Sequence, residues 1–408
     1  MRLKLDRFFA EVEGFADFGE RTLVERKEIC GEDVPFYVNE FWTSRQRAAH
    51  SLHEVSYRAC FKPQLPRFFL ERLTAEGDVV YDPFMGRGTT LVESALLGRR
   101  VVGNDINPLS RVLCLPRLSP PSQDEVEVRL GEISLSASAE SRVGEDAELL
   151  AFYHADTLRE ISALRCYFMG REASGELDDV DRWVRMVATN RLTGHSPGFF
   201  SVYTMPPNQA VTAERQRMIN EKRDQVPVVK DVRAIILKKS KQLLSRLSDS
   251  DRERLGRCEA LMTTSQAECR DEIASGSVKL VVTSPPFLDV VDYRTDNWLR
   301  CWFNGIDSAG LPISQLKSEE LWVGKMTEVF RELGRVLVSD GVIAFEVGEV
   351  KRSKVMLEEL VIRAALDAGL CVHGVLINAQ EFTKTANCWG VDNQSKGTNT
   401  NRIVVISK

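Results

Sequence analysis

Val281-Val282-Thr283-Ser284-Pro285-Pro286-Phe287 is an apolar run that stops on a hydroxyl, two prolines and an aromatic ring. Consecutive prolines remove two backbone donors and fix two φ angles, so the neighbouring carbonyls are held stiffly and cannot join a sheet. Rigid acceptors beside a serine and a ring face point to a use other than strand pairing. The plain alternative is a strand-ending turn. A second stretch, Asp82-Pro83-Phe84-Met85-Gly86-Arg87-Gly88-Thr89-Thr90, is a glycine turn after another apolar run. A dinucleotide fingerprint needs a third glycine where this chain has Leu91, and a P-loop needs a lysine where it has Thr89. Both phosphate-binding readings therefore lose their weight. Asp105 follows Asp82 by 23 positions, close to the roughly 20-residue offset at which α/β nucleotide sites place a carboxylate on ribose hydroxyls. A ribose-bearing ligand without a pyrophosphate fits that set; a glycine turn with an exposed acid is the alternative.

These turns need a frame. Over residues 65–108, apolar residues at helical spacing give way to Gly77 as a stop, then a buried strand up to Asp82, the glycine turn, a helix over 89–97 and a strand ending near Asp105. Such alternation opens a parallel α/β sheet. The helical 325–341 stretch and the strand-like Val342–Val350 continue it as scaffold. Trp298, Trp302 and Phe303 have the spacing of a helix packed on its core, while Asp289, Asp292, Tyr293 and Arg294 are candidates for the mouth of a pocket. Residues 115–258 read as mainly helical, broken at 191–209 by a loop rich in glycine, proline and polar side chains; His195 and Ser196 lie in it. The chain thus divides into 1–114, an insertion over 115–258, and 259–408.

At 408 residues with 43% hydrophobic and 28% charged side chains, the chain can bury a sizeable core and is neither collagen-like nor disordered. Asp6, Glu11 and Glu13 interrupt the amino-terminal apolar residues, and no run is long enough to span a bilayer, so a cytoplasmic protein with no membrane partner is expected. Nine cysteines without a CxxC pair argue for reduced thiols and against a metal. A net charge of −5 gives no overall basic bias, so a nucleic-acid partner needs a local basic face. Arg215, Arg217, Lys222 and Arg223 begin the one candidate segment, which a solvated helical face explains equally well.

The two turns occur together, and the chain thereby resembles S-adenosylmethionine-dependent DNA amino-methyltransferases. Phe84, Gly86 and Gly88 match the FxGxG cofactor motif, and Ser284, Pro285, Pro286 and Phe287 match the (Asp/Asn/Ser)-Pro-Pro-aromatic catalytic motif. The resemblance extends to residues 56–69 and to the terminal stretch 381–405. It implies a class I Rossmann-like methyltransferase sheet with a largely helical insertion, S-adenosyl-L-methionine as cofactor, and double-stranded DNA with the target base flipped out as substrate. A cognate restriction endonuclease can accompany an enzyme of this kind. On the same resemblance Tyr57, Phe61, Asp82, Pro83, Phe84, Gly86, Gly88, Thr89, Thr90, Asp105 and Ile106 would hold the cofactor. Lys384, Asn399 and Arg402 in the terminal segment, with Thr383, would meet the DNA or close over the cofactor, and residues 115–258 would choose the target sequence.

An exocyclic amine conjugated to a pyrimidine ring is a poor nucleophile, so an enzyme must orient its lone pair and accept a proton as charge develops. Ser284 Oγ and the Pro285 carbonyl could accept its two hydrogens, with Phe287 as a stacking face for the extruded base. Within the resemblance, Ser-Pro-Pro points to the cytosine N4 amine, and Asp- or Asn-Pro-Pro to adenine N6. Cytosine C5 chemistry needs a cysteine after a proline, and no Pro-Cys pair occurs. One departure stands out: the Gly-Asp-Ala turn that meets the cofactor adenine corresponds here to Thr263–Cys269, which lacks the aspartate, so Ser265 or Gln266 is expected to substitute.

Overall fold

A computed structural model describes residues 2–43, 49–58, 60–135, 147–205, 210–268, 271–286, 293–308, 310–311, 318–348, 356–379 and 401–408. In chain order it comprises α1 (Arg2–Glu13), β1 (Leu23–Ile29), β2 (Glu32–Asn39), α2 (Gln64–Leu73), β3 (Val79–Asp82), α3 (Thr89–Leu96), β4 (Arg100–Asn104) and α4 (Leu109–Cys114). The helices α5 (Gln123–Glu132), α6 (Ala155–Ala173), α7 (Asp179–Thr189), α8 (Ala213–Lys222), α9 (Val232–Leu244) and α10 (Asp249–Gly256) follow, with no strand among the described residues between them. The sheet resumes with β5 (Ala260–Thr263), β6 (Val278–Thr283), α11 (Tyr293–Phe303), α12 (Glu319–Val336), β7 (Leu337–Val347), α13 (Leu357–Asp367), β8 (Cys371–Asn378) and β9 (Asn401–Ser407).

The nine strands of the described residues form one sheet in the order β1-β2-β8-β9-β7-β6-β3-β4-β5. Strands β5, β4, β3, β6 and β7 run parallel, and β9 enters antiparallel between β7 and β8. This is the class I methyltransferase sheet, extended at one edge by the β1–β2 hairpin. From β3 the chain moves outward through β4 and β5, then returns to place β6 on the other flank of β3. The strand order therefore reverses between β3 and β6, and ligands of open α/β sheets bind at the carboxyl ends of strands at such a reversal. The glycine turn follows β3 and the Ser-Pro-Pro turn follows β6, so topology alone brings them together.

Alternation along the buried strands builds the layers. Val278 and Val281 of β6 pack with α12 and α13, whereas Leu280 and Val282 face α1 and α2. The helical insertion is not a separate lobe, because Trp183, Val187 and Ile236 share one apolar core with Leu91, Val92 and Leu96 of α3. Trp298 and Trp302 pack against the same core, as their spacing predicts. No helix among the described residues is long and apolar enough to cross a membrane.

Candidate active site

Asp82 closes β3 and fastens it to β6. Its Oδ1 accepts from Thr283 Oγ1 at 2.6 Å and from the Phe84 amide at 3.1 Å, so the residue before Ser284 is tied to the first residue of the glycine turn. Burial pushes the Asp82 carboxyl up to about 7. Thr90 Oγ1 donates to the Val282 carbonyl at 2.9 Å, pinning the start of α3 to β6 as well.

The glycines have separate jobs. Gly86 has φ +48° and Gly88 φ +74°, in the left-handed region that favours glycine. A Cβ on Gly88 would come within 2.2 Å of Cys114 Sγ, so α4 leaves no room there; one on Gly86 would lie 3.6 Å from the Tyr57 ring, in the cleft. Asp105 stabilises the turn by accepting from the Gly86 amide at 2.8 Å through Oδ2 and from the Asn107 amide at 2.9 Å through Oδ1. Burial raises its carboxyl above the ordinary range. Its two oxygens offer about four lone-pair sites between them, so an incoming hydroxyl can still be accepted.

Residues 52–58 with 60 and 61 form the facing wall, held by two buried arginines. Arg87 donates to the carbonyls of Val55 at 2.8 Å and His53 at 3.3 Å, and Arg117 to Leu52 at 3.2 Å and also to the Arg87 carbonyl. Rigid forked donors of this kind satisfy several carbonyls at once. Tyr57, Arg58 and Phe61 consequently face the glycine turn.

At the far end, Asn104 donates to the carbonyls of Pro83 at 3.2 Å and Ser265 at 2.9 Å, joining the turns after β3 and β5. Ser265 and Gln266 line the cleft as expected, and so does Glu268, which Lys325 of α12 holds by an ion pair. Trp322, one turn earlier, donates from Nε1 to the Pro286 carbonyl at 3.2 Å. Helix α12 thereby braces both the 265–268 turn and the Ser-Pro-Pro turn.

Of the expected cofactor residues, all but Gly88 and Thr90 line this cleft; those two shape it from behind. Ser284 and Pro286 line it too, whereas Pro285 is buried and outside the lining. Phe287, Asp289 and Asp292 lie outside the described residues, as do Thr383, Lys384 and Asn399. Arg402 differs from its expected role: it sits on β9 with its Nη1 2.5 Å from Glu358 Oε1 of α13, inside the fold. His195, Ser196, Arg215, Arg217, Lys222 and Arg223 are exposed on the insertion. Arg223 stacks 3.8 Å above the Tyr203 ring, and α8 begins just after Ala210, whose amide donates to the Asp296 carbonyl of α11 at 3.1 Å.

Two functional candidates escaped the sequence reading. Glu346 of β7, read as scaffold, is 5% exposed and accepts hydrogen bonds from Ser284 and from Asn401 Nδ2, the latter at 2.9 Å. Burial raises its carboxyl above the ordinary range. An acid inside the apolar run Val342–Val347 was the available signal, because buried strands rarely carry one without a use. Asn107 is the second: it lines the cleft, buried, with an Nδ2 that has no hydrogen-bond partner among the described residues. A buried donor without a partner costs about 1–3 kcal/mol. With the open glycine turn and the Asp105 carboxylate, it makes the cleft suited to a polar, ribose-bearing ligand rather than an apolar one.

Residues 25–110 match the family model described as DNA methylase. That stretch takes in the facing wall, the glycine turn and Asp105, and ends before the insertion. The Type II methyltransferase M.MjaII of Methanocaldococcus jannaschii is 27% identical over 118 residues, which are 28% of this chain and 22% of that protein. The Type II methyltransferase M.MvaI of Kocuria varians is 33% identical over 120 residues, 29% of this chain and 26% of that protein. The matches therefore span about a quarter of these relatives' length. Among solved structures, the rRNA methyltransferase aviRa of Streptomyces viridochromogenes is 13% identical with a TM-score of 0.34, over 90% of this chain and 94% of its own.

Proposed function

We propose, from the premise that residues 25–110 are a segment of the N4/N6 DNA methylase family, that this chain transfers a methyl group from S-adenosylmethionine to the N4 amine of cytosine in double-stranded DNA. The observation that carries the reading is the arrangement at the strand reversal. Ser284, at the end of β6, opens into the same cleft as Gly86 and Asp105 and has Glu346 behind it.

S-adenosylmethionine, when bound, supplies an electrophilic methyl group on a sulfonium. The glycine turn would let a nucleoside approach the backbone, Asp105 would accept from ribose hydroxyls, and Asn107 Nδ2 would gain an acceptor. Tyr57, Phe84 and Trp322 keep water from the apolar part of the cleft. Ser284 directs its own proton at Glu346, which leaves its oxygen lone pairs for an amine hydrogen. As the amine nitrogen forms its new bond to the methyl carbon, the carbon–sulfur bond would break with its electron pair left on sulfur as a thioether, and the nitrogen would lose that hydrogen as a proton to Ser284 while the serine proton moves on to Glu346. A buried carboxylate of raised basicity is well matched to receive it. Asp82, through Thr283, holds the serine turn at the depth of the glycine turn. Phe287 supplies the face on which the extruded base stacks.

The test is methyl transfer from isotopically labelled cofactor to duplex DNA, with duplex RNA alongside, followed by nucleoside digestion and mass spectrometry. N4-methylcytosine is the expected product. N6-methyladenine as the sole product would move the target to the other amine, and label in RNA alone would overturn the substrate class.

A further inference from the structure

A second cavity, of about 490 Å³, is enclosed by α4, the turn from α6 to α7 and the residues that follow α11. Its volume lies within the roughly 300–1,000 Å³ usual for small-molecule sites. Arg111, Glu172, Gly175 and Gly305 of its lining are exposed, so the cavity opens to solvent among them. Pro108 and Thr264 also line it, and the residues beside them in the chain, Asn107 and Ser265, line the cofactor cleft. One peptide bond on each of two turns therefore separates the walls of the two cavities.

Among the lining residues, Arg111, Arg182 and Arg185 are set against one carboxylate, that of Glu172. Arg185 is 4% exposed and held in place by Asn304, to whose Oδ1 its Nε donates at 2.8 Å and to whose carbonyl its Nη2 donates at 3.0 Å. Its Nη1 lies 3.0 Å from Glu172 Oε2, on a side chain that is 55% exposed. The glutamate thus marks a spot where a buried, fixed guanidinium already holds an anion, and its own exposure lets it turn to water and vacate that spot. Arg182 is paired at 2.7 Å with Asp179, which is outside the lining. The Arg111 guanidinium has no hydrogen bond or ion pair among the described residues. Val112, Leu115 and Leu177 supply apolar wall beside these cations. Forked guanidinium donors match phosphate oxygens in geometry and stack on planar rings, so the cavity suits a phosphate attached to a compact, partly apolar body.

We propose that this cavity is a second ligand site, which takes a nucleotide-sized organic monophosphate. Its phosphate replaces the Glu172 carboxylate on Arg185 and engages Arg111, and its body rests on the apolar wall. Occupancy is passed to the cofactor cleft through Asn107–Pro108 and Thr264–Ser265, the two places where the cavities share a wall. The site involves no methyl acceptor, so it stands or falls apart from the reading of the target base. A free nucleotide and a nucleotide of a bound DNA strand offer the same chemistry here.

The test is calorimetry with cytidine 5′-monophosphate on the full chain, in saturating S-adenosylmethionine so that the cofactor cleft is filled. Wild type is compared with Glu172→Gln, Arg111→Gln and Arg185→Gln. Glu172→Gln removes the competing carboxylate and should tighten binding about fivefold, whereas Arg111→Gln should weaken it about tenfold. Cofactor affinity without the nucleotide should match wild type in both. If Arg185→Gln fails to fold, the other two variants decide the matter. With the nucleotide present, wild-type cofactor affinity should rise about fivefold, because coupling between sites is reciprocal. Duplex DNA that displaces the nucleotide, and itself binds more tightly to Glu172→Gln, identifies the strand as the source; nucleotide binding undisturbed by DNA identifies a free nucleotide. Absence of nucleotide binding to wild type overturns the site. So does binding that ignores the Glu172 and Arg111 variants, which would place the nucleotide in the target-base part of the cleft. An unchanged cofactor affinity overturns the coupling.

Discussion

Asp82 is a residue whose chemistry depends on where two strands end. Its ordinary value is 3.8 and its folded value about 7, so within that interval the folded protein holds a proton that the unfolded chain has released. Stability therefore falls as pH rises from about 4 to about 7 and is lowest above it, by a few kcal/mol at about 1.4 kcal/mol per unit. Asp82→Asn should flatten that part of the curve, as read by urea unfolding at pH 5, 6, 7 and 8; a slope identical to wild type would assign the titration elsewhere. On the proposed reading, Ser284 would act in the transfer step instead. Ser284→Ala should lower the single-turnover rate by about 10²–10³, by analogy with the loss of one positioned donor in an oxyanion site, while cofactor affinity stays within twofold of wild type, or about 0.4 kcal/mol. Glu346→Gln should share the rate defect, because its carboxylate accepts from Ser284. A wild-type rate in the Ser284 variant would remove serine from the reaction.

Elements set the depth of these side chains. Helix α12 contributes Trp322 to the Pro286 carbonyl and Lys325 to Glu268, two turns that come from β6 and β5 respectively. Trp322→Phe keeps the ring in the core and removes only the N–H. It should leave cofactor binding near wild type and reduce turnover by about tenfold, the equivalent of one hydrogen bond of about 1–1.5 kcal/mol. Unchanged kcat with raised cofactor Kd would show that the indole serves the cofactor wall alone. The glycine turn divides similarly. Gly88→Ala drives a Cβ into Cys114 and should cost stability, about 1–2 kcal/mol for the left-handed backbone and about 1–3 for overpacking. Gly86→Ala meets Tyr57 at ordinary contact distance and should chiefly weaken cofactor binding. Thermal melting beside calorimetry separates the two, and equal stability losses would deny the division.

For the whole molecule, the proposed reading raises the question of how DNA would reach a cleft in a chain of net charge −5. The insertion shares its core with α3, and Ala210, just before α8, donates to the Asp296 carbonyl of α11, so its exposed cations are fixed relative to the Ser-Pro-Pro turn. Neutralising Arg215, Arg217, Lys222 and Arg223 together should weaken duplex binding and flatten its salt dependence by up to about 0.9 per lost phosphate contact. An unchanged slope would reduce α8 to a solvated face.

The alternation over 65–108 and the two turns were legible in the chain, because glycine, proline and apolar period are local constraints that each segment obeys on its own. That sufficed for the α/β class, for a nucleoside rather than phosphate-anchored ligand, and for Ser284 as a candidate. Glu346 was not legible: along β7 it is one acid among apolar neighbours, and only the pairing of β6 with β7 sets its carboxylate behind Ser284. Nor was the brace from Trp322, since its partner Pro286 lies 36 residues away. Arg402, expected from the sequence to meet the DNA or close over the cofactor, instead pairs with Glu358 where β9 packs against α13. Local sequence determines what a segment prefers; which distant groups share a buried, low-dielectric space, where a lone carboxylate or guanidinium changes its chemistry, is decided only when the strand order closes.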